Sequence, residues 1–102
     1  WNTVWHGSPD AVVEQMAAVD AACVEMGRDP RTLVRTAGGN IAMPGTTGRR
    51  PNPITGSDEE IAATIVRFRD LGITHFVAGL DACTPRNLER FGRIIELVDA
   101  AP

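Results

Sequence analysis

The sequence predicts an α/β fold in which parallel strands alternate with outer helices. Two segments repeat one pattern: HGSPDAVVEQM and TGSDEEIAATI each begin a helix that a glycine ends, and a strand follows within a few residues. The core of the later strand, residues 75–80 (HFVAGL), is almost continuously apolar, as in a parallel strand that is covered on both faces. This alternation of helices and strands is typical of a parallel sheet with right-handed crossovers.

The first predicted helix spans residues 8–26 and follows a short strand, WNTVW, at residues 1–5. Ser8 is the expected N-cap, and Pro9 occupies the first helical position. Gly27 ends the helix. Apolar side chains recur at three- and four-residue spacing and form one buried stripe. The stripe consists of Val12, Met16, Val19, Cys23 and Met26.

A strand is predicted at about residues 33–37, reaching residue 42 if it continues past Gly38 and Gly39. No helix begins directly after this glycine pair, so a bulge or close packing is favoured over a phosphate-binding turn. Residues 44–56 (PGTTGRRPNPITG) contain three prolines and three glycines. We therefore expect a long loop there, and long loops in compact domains are often functional.

The second helix begins with a capping box formed by Ser57 and Glu60 and ends at Gly72. A strand over residues 73–80 follows it. The third helix spans residues 84–99, and its Thr-Pro start repeats the cap-plus-proline signal of the first helix. The sequence thus contains three βα units.

Composition excludes several functional classes. The net charge is −3 and the arginines are scattered, which argues against a nucleic-acid surface. No apolar run approaches the roughly 18–20 residues of a membrane-spanning helix. Cys23 and Cys83 lie far apart and show no metal-ligand spacing with His6 or His75, so no metal site is predicted. Two unpaired thiols suggest a reduced, cytoplasmic protein.

Three strands are few for a parallel sheet. Without neighbours, the sheet would keep two open edges and one uncovered apolar face. The chain also starts inside the short strand, at Trp1 and without an initiator methionine. These features predict that the chain is part of a larger sheet or barrel.

Four segments, in order, resemble the C-terminal part of the luciferase-like monooxygenase superfamily. WN at the start is similar to the end of the family's ADGWN strand, and residues 7–30 (GSPDAVVEQMAAVDAACVEMGRDP) resemble the helix and GRDP turn that follow it. Residues 56–80 (GSDEEIAATIVRFRDLGITHFVAGL) resemble the late helix and final strand. TPRNLERFGRIIELV, at residues 84–98, is similar to the last helix.

The resemblance implies a (β/α)8 barrel of roughly 250–350 residues, with this chain as its sixth to eighth βα units. It also implies an oxidoreductase or monooxygenase that uses FMN or the deazaflavin F-420 on a small organic substrate. Trp1 and Asn2 are the positions to which cofactor contact carries over. Most of the family's cofactor site lies upstream of these units, so the isolated chain should be inactive.

In such a barrel the chemistry lies at the C-terminal ends of the strands. The candidate substrate contacts are Trp5, His6, Asn40, Arg49, Arg50 and Asp81. His6 is a candidate proton donor, because imidazole exchanges protons near neutral pH, or simply a loop residue before a helix cap. The Arg49-Arg50 pair either attracts an anionic substrate or lies on a solvated loop. No catalytic residue is assigned, which fits a family in which the cofactor performs the redox step.

Two functions therefore remain. The first is a fragment of a flavin- or deazaflavin-dependent oxidoreductase whose partner is the rest of the barrel or another copy of the chain. The alternative is a self-standing α/β binding or assembly module that forms homo-oligomers through its open sheet edges.

Overall fold

The computed structural model describes all 102 residues and shows a three-stranded parallel sheet in the order β1-β2-β3. The strands are β1 (Asn2–Thr3), β2 (Thr36–Ala42) and β3 (His75–Asp81). Strands β2 and β3 pair in one uninterrupted register that runs from Thr36 opposite His75 to Ala42 opposite Asp81. The predicted α/β class with parallel strands is confirmed.

Three α-helices connect or follow the strands. They are α1 (Val13–Glu25), α2 (Asp58–Asp70) and α3 (Pro85–Ala100). A 3₁₀ turn over Pro9–Val12 precedes α1, and Ser8 caps that turn by accepting from the Asp10 N–H. None of the helices is both long enough and apolar enough to cross a membrane.

The predicted capping residues start the two later helices. The Ser57 hydroxyl accepts from the Glu60 N–H over 3.2 Å, and the Glu60 carboxylate accepts from the Ser57 N–H over 3.3 Å. The Thr84 hydroxyl accepts from the Asn87 N–H over 3.1 Å. Each cap pairs a backbone donor that the first helical turn leaves without a partner.

The core lies between the helices and one face of the sheet. The rings of Phe68 on α2 and Phe76 on β3 stand 5.1 Å apart. Ala37 and Ile41 of β2 and Leu80 of β3 belong to the same buried cluster. Because side chains alternate along a strand, the residues between these point away from the helices. We call that side of β2 and β3 the inner face.

The inner face is largely uncovered. Val77, at its centre, is 51% exposed, and Val4 and Trp5 beside it are also exposed. They line an open concavity of about 370 Å³ over Gly38 and Gly79. The outer edges of β1 and β3 have no paired strand. The sheet is thus covered by helices on one face only.

The start of β2 differs from the prediction. The strand begins at Thr36 rather than at residue 33, because Pro30–Thr32 forms a 3₁₀ turn and Leu33 closes it. The glycine pair lies inside the strand without a bulge. A Cβ at Gly39 would lie 2.8 Å from the carbonyl oxygen of His6, so close backbone packing explains this glycine.

The end of α1 also differs from the prediction. Val12, Met16 and Cys23 are buried, as the stripe predicted. Met26 is 83% exposed: it is the C-cap residue after Glu25, and the buried stripe ends before it.

Candidate functional site

The long loop at residues 44–56 lies across the C-terminal ends of the strands, and we call it the strap. On the β1 side, the Asn52 amide donates to the carbonyl oxygen of Trp5 over 3.1 Å. Beyond the end of β1, Ile54 forms a parallel β-bridge with Ile41 and pairs with the part of β2 that β1 does not reach. The strap therefore spans the whole width of the sheet at the edge where barrel chemistry occurs.

Asp81 holds the strap at the β3 side. Its carboxylate accepts from the hydroxyls of Thr46 and Thr47, over 2.7 and 2.9 Å, and from the Thr47 N–H. The Thr46 hydroxyl is the main reason that the pKa of Asp81 lies below its ordinary value; burial opposes this effect, while Thr47 and the charge of Arg50 reinforce it. The residue is thus a buried carboxylate at the end of β3.

Asn40 lies beneath the strap on the inner face, and it is only 1% exposed. Its Nδ2 donates to the carbonyl oxygen of Pro51 over 2.9 Å. Its Oδ1 is buried and has no hydrogen-bond partner. A buried acceptor without a donor costs free energy, so such an atom requires an explanation in strain, in function or in a bound water or ion.

A cavity of about 170 Å³ lies between the strap and the strand ends. The polar side chains that line it include those of Asn40, Thr46, Arg50 and Asp81. On the neighbouring strand, Gly79 lets the Asn40 and Arg50 side chains pack closely against β3: a Cβ there would lie 3.3 Å from Asn40 Oδ1 and 3.9 Å from Arg50 Nη1. The structure therefore brings together three of the predicted contacts, Asn40, Arg50 and Asp81.

The two neighbouring arginines have different environments. Arg50 lines the cavity and acts on Asp81 through its charge. Both arginines are exposed, but Arg49 does not line the cavity, and its backbone N–H donates to the Thr47 hydroxyl. The predicted basic pair thus contributes one cation to the site.

Trp5 and His6 lie at the end of the short first strand. Trp5 is exposed beside the inner face and has a left-handed backbone with φ of 66°. His6 Nε2 lies 2.6 Å from the Thr3 hydroxyl, which also lies 2.9 Å from Gln15 Oε1. His6 therefore contacts Thr3 and does not line the cavity under the strap.

Trp1 and Asn2 lie at the opposite end of the sheet from the strap. Asn2 pairs with Thr36, the first residue of β2, and Trp1 packs against the buried core. Asn40 is four residues further along β2, roughly 13 Å away at the rise of a strand. These two residues do not meet the cavity under the strap.

No family model, curated protein or solved structure matches the chain. No group of three or more His, Cys, Asp or Glu side chains is arranged to hold a metal ion.

Three residues that hold the site were not among the predicted contacts. Thr46 and Thr47 bind a carboxylate 34 to 35 residues away in sequence. The Asn87 amide donates to the carbonyl oxygens of Pro44 and Ala82, each over 2.9 Å. The only advance signal was the density of threonine and proline in the loop, which indicates a special conformation but not its partner.

Proposed function

We propose that this chain is the C-terminal three βα units of a (β/α)8 barrel in an FMN- or deazaflavin-dependent oxidoreductase that acts on a small organic substrate. The single observation that carries the proposal is that the inner face has two chemically different regions. It is apolar and uncovered around Val77 but polar and covered by the strap at Asn40 and Asp81. In a closed barrel the first region is packed interior and the second is the active rim.

The residues of this chain fit part of a flavin or deazaflavin site. Asn40 Oδ1 is a buried acceptor that suits a ring N–H, and Arg50 is a donor that suits a ring carbonyl. Exposed Val77 and Trp5 offer an apolar surface beside them. When bound, such a cofactor supplies hydride transfer or oxygen chemistry. The chain's own residues would bind and orient one edge of the ring.

The strap has a second role in this proposal, which is the exclusion of water. It is fixed to β3 by Asp81, to β2 by Asn40 and Ile41, and to the β1 end through Asn52. A cover held at all three strands keeps water from the strand ends, and polar interactions are stronger in a site without bulk water.

The uncovered inner face also supports the choice of partner. Either the remaining strands of the barrel or a second copy of the chain would cover Val77 and pair the free edges of β1 and β3. A second candidate function follows from these edges: a small assembly module that forms homo-oligomers and binds no redox cofactor.

Cofactor binding distinguishes the two functions. A barrel protein that contains these residues should quench the fluorescence of added FMN or deazaflavin, and Asn40→Leu should weaken the binding. The matched control is Gly92→Ala, on α3, where an added Cβ meets no atom within 4 Å. If neither cofactor binds to the folded protein, the oxidoreductase proposal fails.

A further inference from the structure

His75 lies at the N-terminal end of the inner face. It is the first residue of β3 and stands opposite Thr36 on β2, which in turn stands opposite Asn2 on β1. His75 is exposed and lines the same concavity as Val77. It therefore belongs to the surface that the rest of a barrel or a second copy of the chain would cover.

His75 is also the one side chain in this concavity that can carry a charge. The other residues that line it are apolar residues, glycines and uncharged polar residues: Asn2, Val4, Trp5, Thr36, Gly38, Val77 and Gly79. Histidine is the side chain whose charge ordinarily changes between pH 5 and 8. The concavity is thus uncharged at higher pH and positive in mild acid.

At the far end of the sheet, no carboxylate is free to neutralise that charge. Asp81 lies six residues further along β3, roughly 20 Å away at the rise of a strand. Its carboxylate is buried under the strap, where Thr47 donates to it and the charge of Arg50 acts on it. Asp81 therefore does not act as a partner for a protonated His75.

The charged groups at the near end do not compensate for a protonated His75 either. The guanidinium of Arg35, which is buried, donates to Asp20 of α1 on the helix side of the sheet. The amino group of Trp1 donates to the carbonyl oxygen of Val34. Both of these groups are cations, and the one carboxylate among their partners already forms an ion pair.

The chemistry of the inner face favours a second copy of the chain as its cover. When its histidine is neutral, the concavity has no charge that would attract a highly charged partner, and it exposes apolar side chains, namely Val4, Trp5 and Val77. A second inner face is uncharged and apolar in the same way, and it brings free strand edges of its own. Two copies related by a two-fold axis would bury this surface against itself.

A charge at His75 opposes such contact. An imidazolium that is covered by the second copy loses its water and gains no partner of opposite charge, because the copy brings the same surface and another His75. Burial of an unpaired charge costs free energy, so a covered imidazole binds its proton less readily. Covering the face and protonating the imidazole therefore oppose each other.

We infer that a second copy of the chain covers the inner face while His75 is neutral and is released when His75 takes up a proton from the solvent. The inference rests on the proposed function only for the claim that the inner face is built to be covered. It adds the partner that covers the face of the isolated chain and the side chain that controls the contact.

The test is analytical ultracentrifugation of the 102-residue chain at about pH 7.5 and at about pH 5.5. Free imidazole is half protonated at roughly pH 6.5, so each of the two imidazoles in a dimer should weaken association about tenfold over this interval, or about 100-fold together. Far-UV circular dichroism at both pH values checks that the chain stays folded. The pKa of Asp81 lies below 3.8, so this carboxylate stays ionised at both.

Three variants make the test specific to His75. His75→Gln stays neutral and should associate equally at both pH values. His75→Arg carries a permanent charge and should be monomeric at both. His6→Gln is the matched control and should keep the pH response, because His6 contacts Thr3 and does not line the concavity.

Each outcome decides the inference. Equal association at both pH values, or an unchanged pH response in His75→Gln, would overturn it and leave the covered face in place. A folded chain that is monomeric at both pH values would overturn it together with the claim that the face is covered. If the response depends on His75 but the barrel protein binds neither FMN nor deazaflavin, the inference stands and the oxidoreductase proposal fails alone.

Discussion

Thr47 joins the strap to the end of β3 through two groups directed at one oxygen of Asp81. Its hydroxyl donates to Asp81 Oδ2 over 2.9 Å, and its backbone N–H donates to the same oxygen over 3.2 Å. The Thr46 hydroxyl donates to that oxygen as well, over 2.7 Å. One carboxylate therefore holds two successive strap residues against a strand that is far away in sequence.

Asp81→Asn should loosen the strap, because an amide accepts more weakly than a carboxylate and brings an N–H toward the two hydroxyls. We expect trypsin to cleave the Arg49–Arg50 bond several-fold faster in the variant, since cleavage reports the population of the open segment. Asp99→Asn, on the exposed surface of α3, is the control. Equal cleavage rates in all three proteins would show that Asp81 does not hold the strap.

The same carboxylate should make the strap sensitive to acid. The pKa of Asp81 lies below 3.8, chiefly because the Thr46 hydroxyl donates to the ionised form. A carboxyl whose pKa is lower in the folded chain stabilises the folded form fully above its unfolded value, and this contribution is lost as the pH falls below 3.8 toward the folded pKa. The Thr47 amide resonance should titrate in that window.

The acid titration has an internal control. In Asp81→Asn the Thr47 amide should show no transition between neutral pH and the point of acid unfolding. A midpoint above 3.8 in the unsubstituted chain would mean that the folded structure does not lower the pKa of Asp81.

Asn87 links α3 to the base of the strap and to the residue after β3. Replacement by Leu removes two hydrogen bonds of a buried amide and leaves the carbonyls of Pro44 and Ala82 without their donor. We expect the free energy of unfolding to fall by about 1–3 kcal/mol, measured by urea denaturation. Asn2→Leu, at an exposed position, should change it far less. If Asn87→Leu left the free energy of unfolding unchanged, water would fully replace the Asn87 amide as the donor to these carbonyls.

The capping box at the start of α2 provides a prediction about stability alone. Ser57→Ala should lower the free energy of unfolding by about 1 kcal/mol, whereas Ser57→Gly should cost only a few tenths. In the unsubstituted chain the Ser57 hydroxyl accepts from the Glu60 N–H over 3.2 Å, and the Ala variant loses this acceptor. The Gly variant loses it too, but it leaves the N–H open to water. Similar losses for both variants would assign the effect to the backbone and not to the cap.

The local features of the fold were predictable because their causes are local. Ser57 and Thr84 start helices through side chains that reach backbone groups three residues away. Asn40 and Asp81 were predicted from one general rule, that parallel strands end at a common edge. The predicted start of β2 was wrong because residues Pro30–Thr32 form a 3₁₀ turn in place of an extended strand.

The path of the strap could not be predicted, because its contacts join residues that are distant in sequence. Nothing in the sequence near Thr46 indicates that its partner is Asp81. Nothing there indicates either that, of the two arginines, Arg50 lines the cavity and Arg49 does not. His6 was a reasonable candidate by position. Its ring nevertheless contacts the Thr3 hydroxyl, with Nε2 at 2.6 Å, and does not line the cavity.

The central claim is that the inner face is built to be covered by more of a barrel. It is tested most directly by light scattering on the 102-residue chain and two variants. The chain should self-associate, Val77→Lys should shift it to monomer, and Val24→Lys should not, because Val24 is 68% exposed on α1. If the chain is instead monomeric and melts in one cooperative thermal transition, it is a self-sufficient domain, and the claim that its inner face needs a cover is wrong.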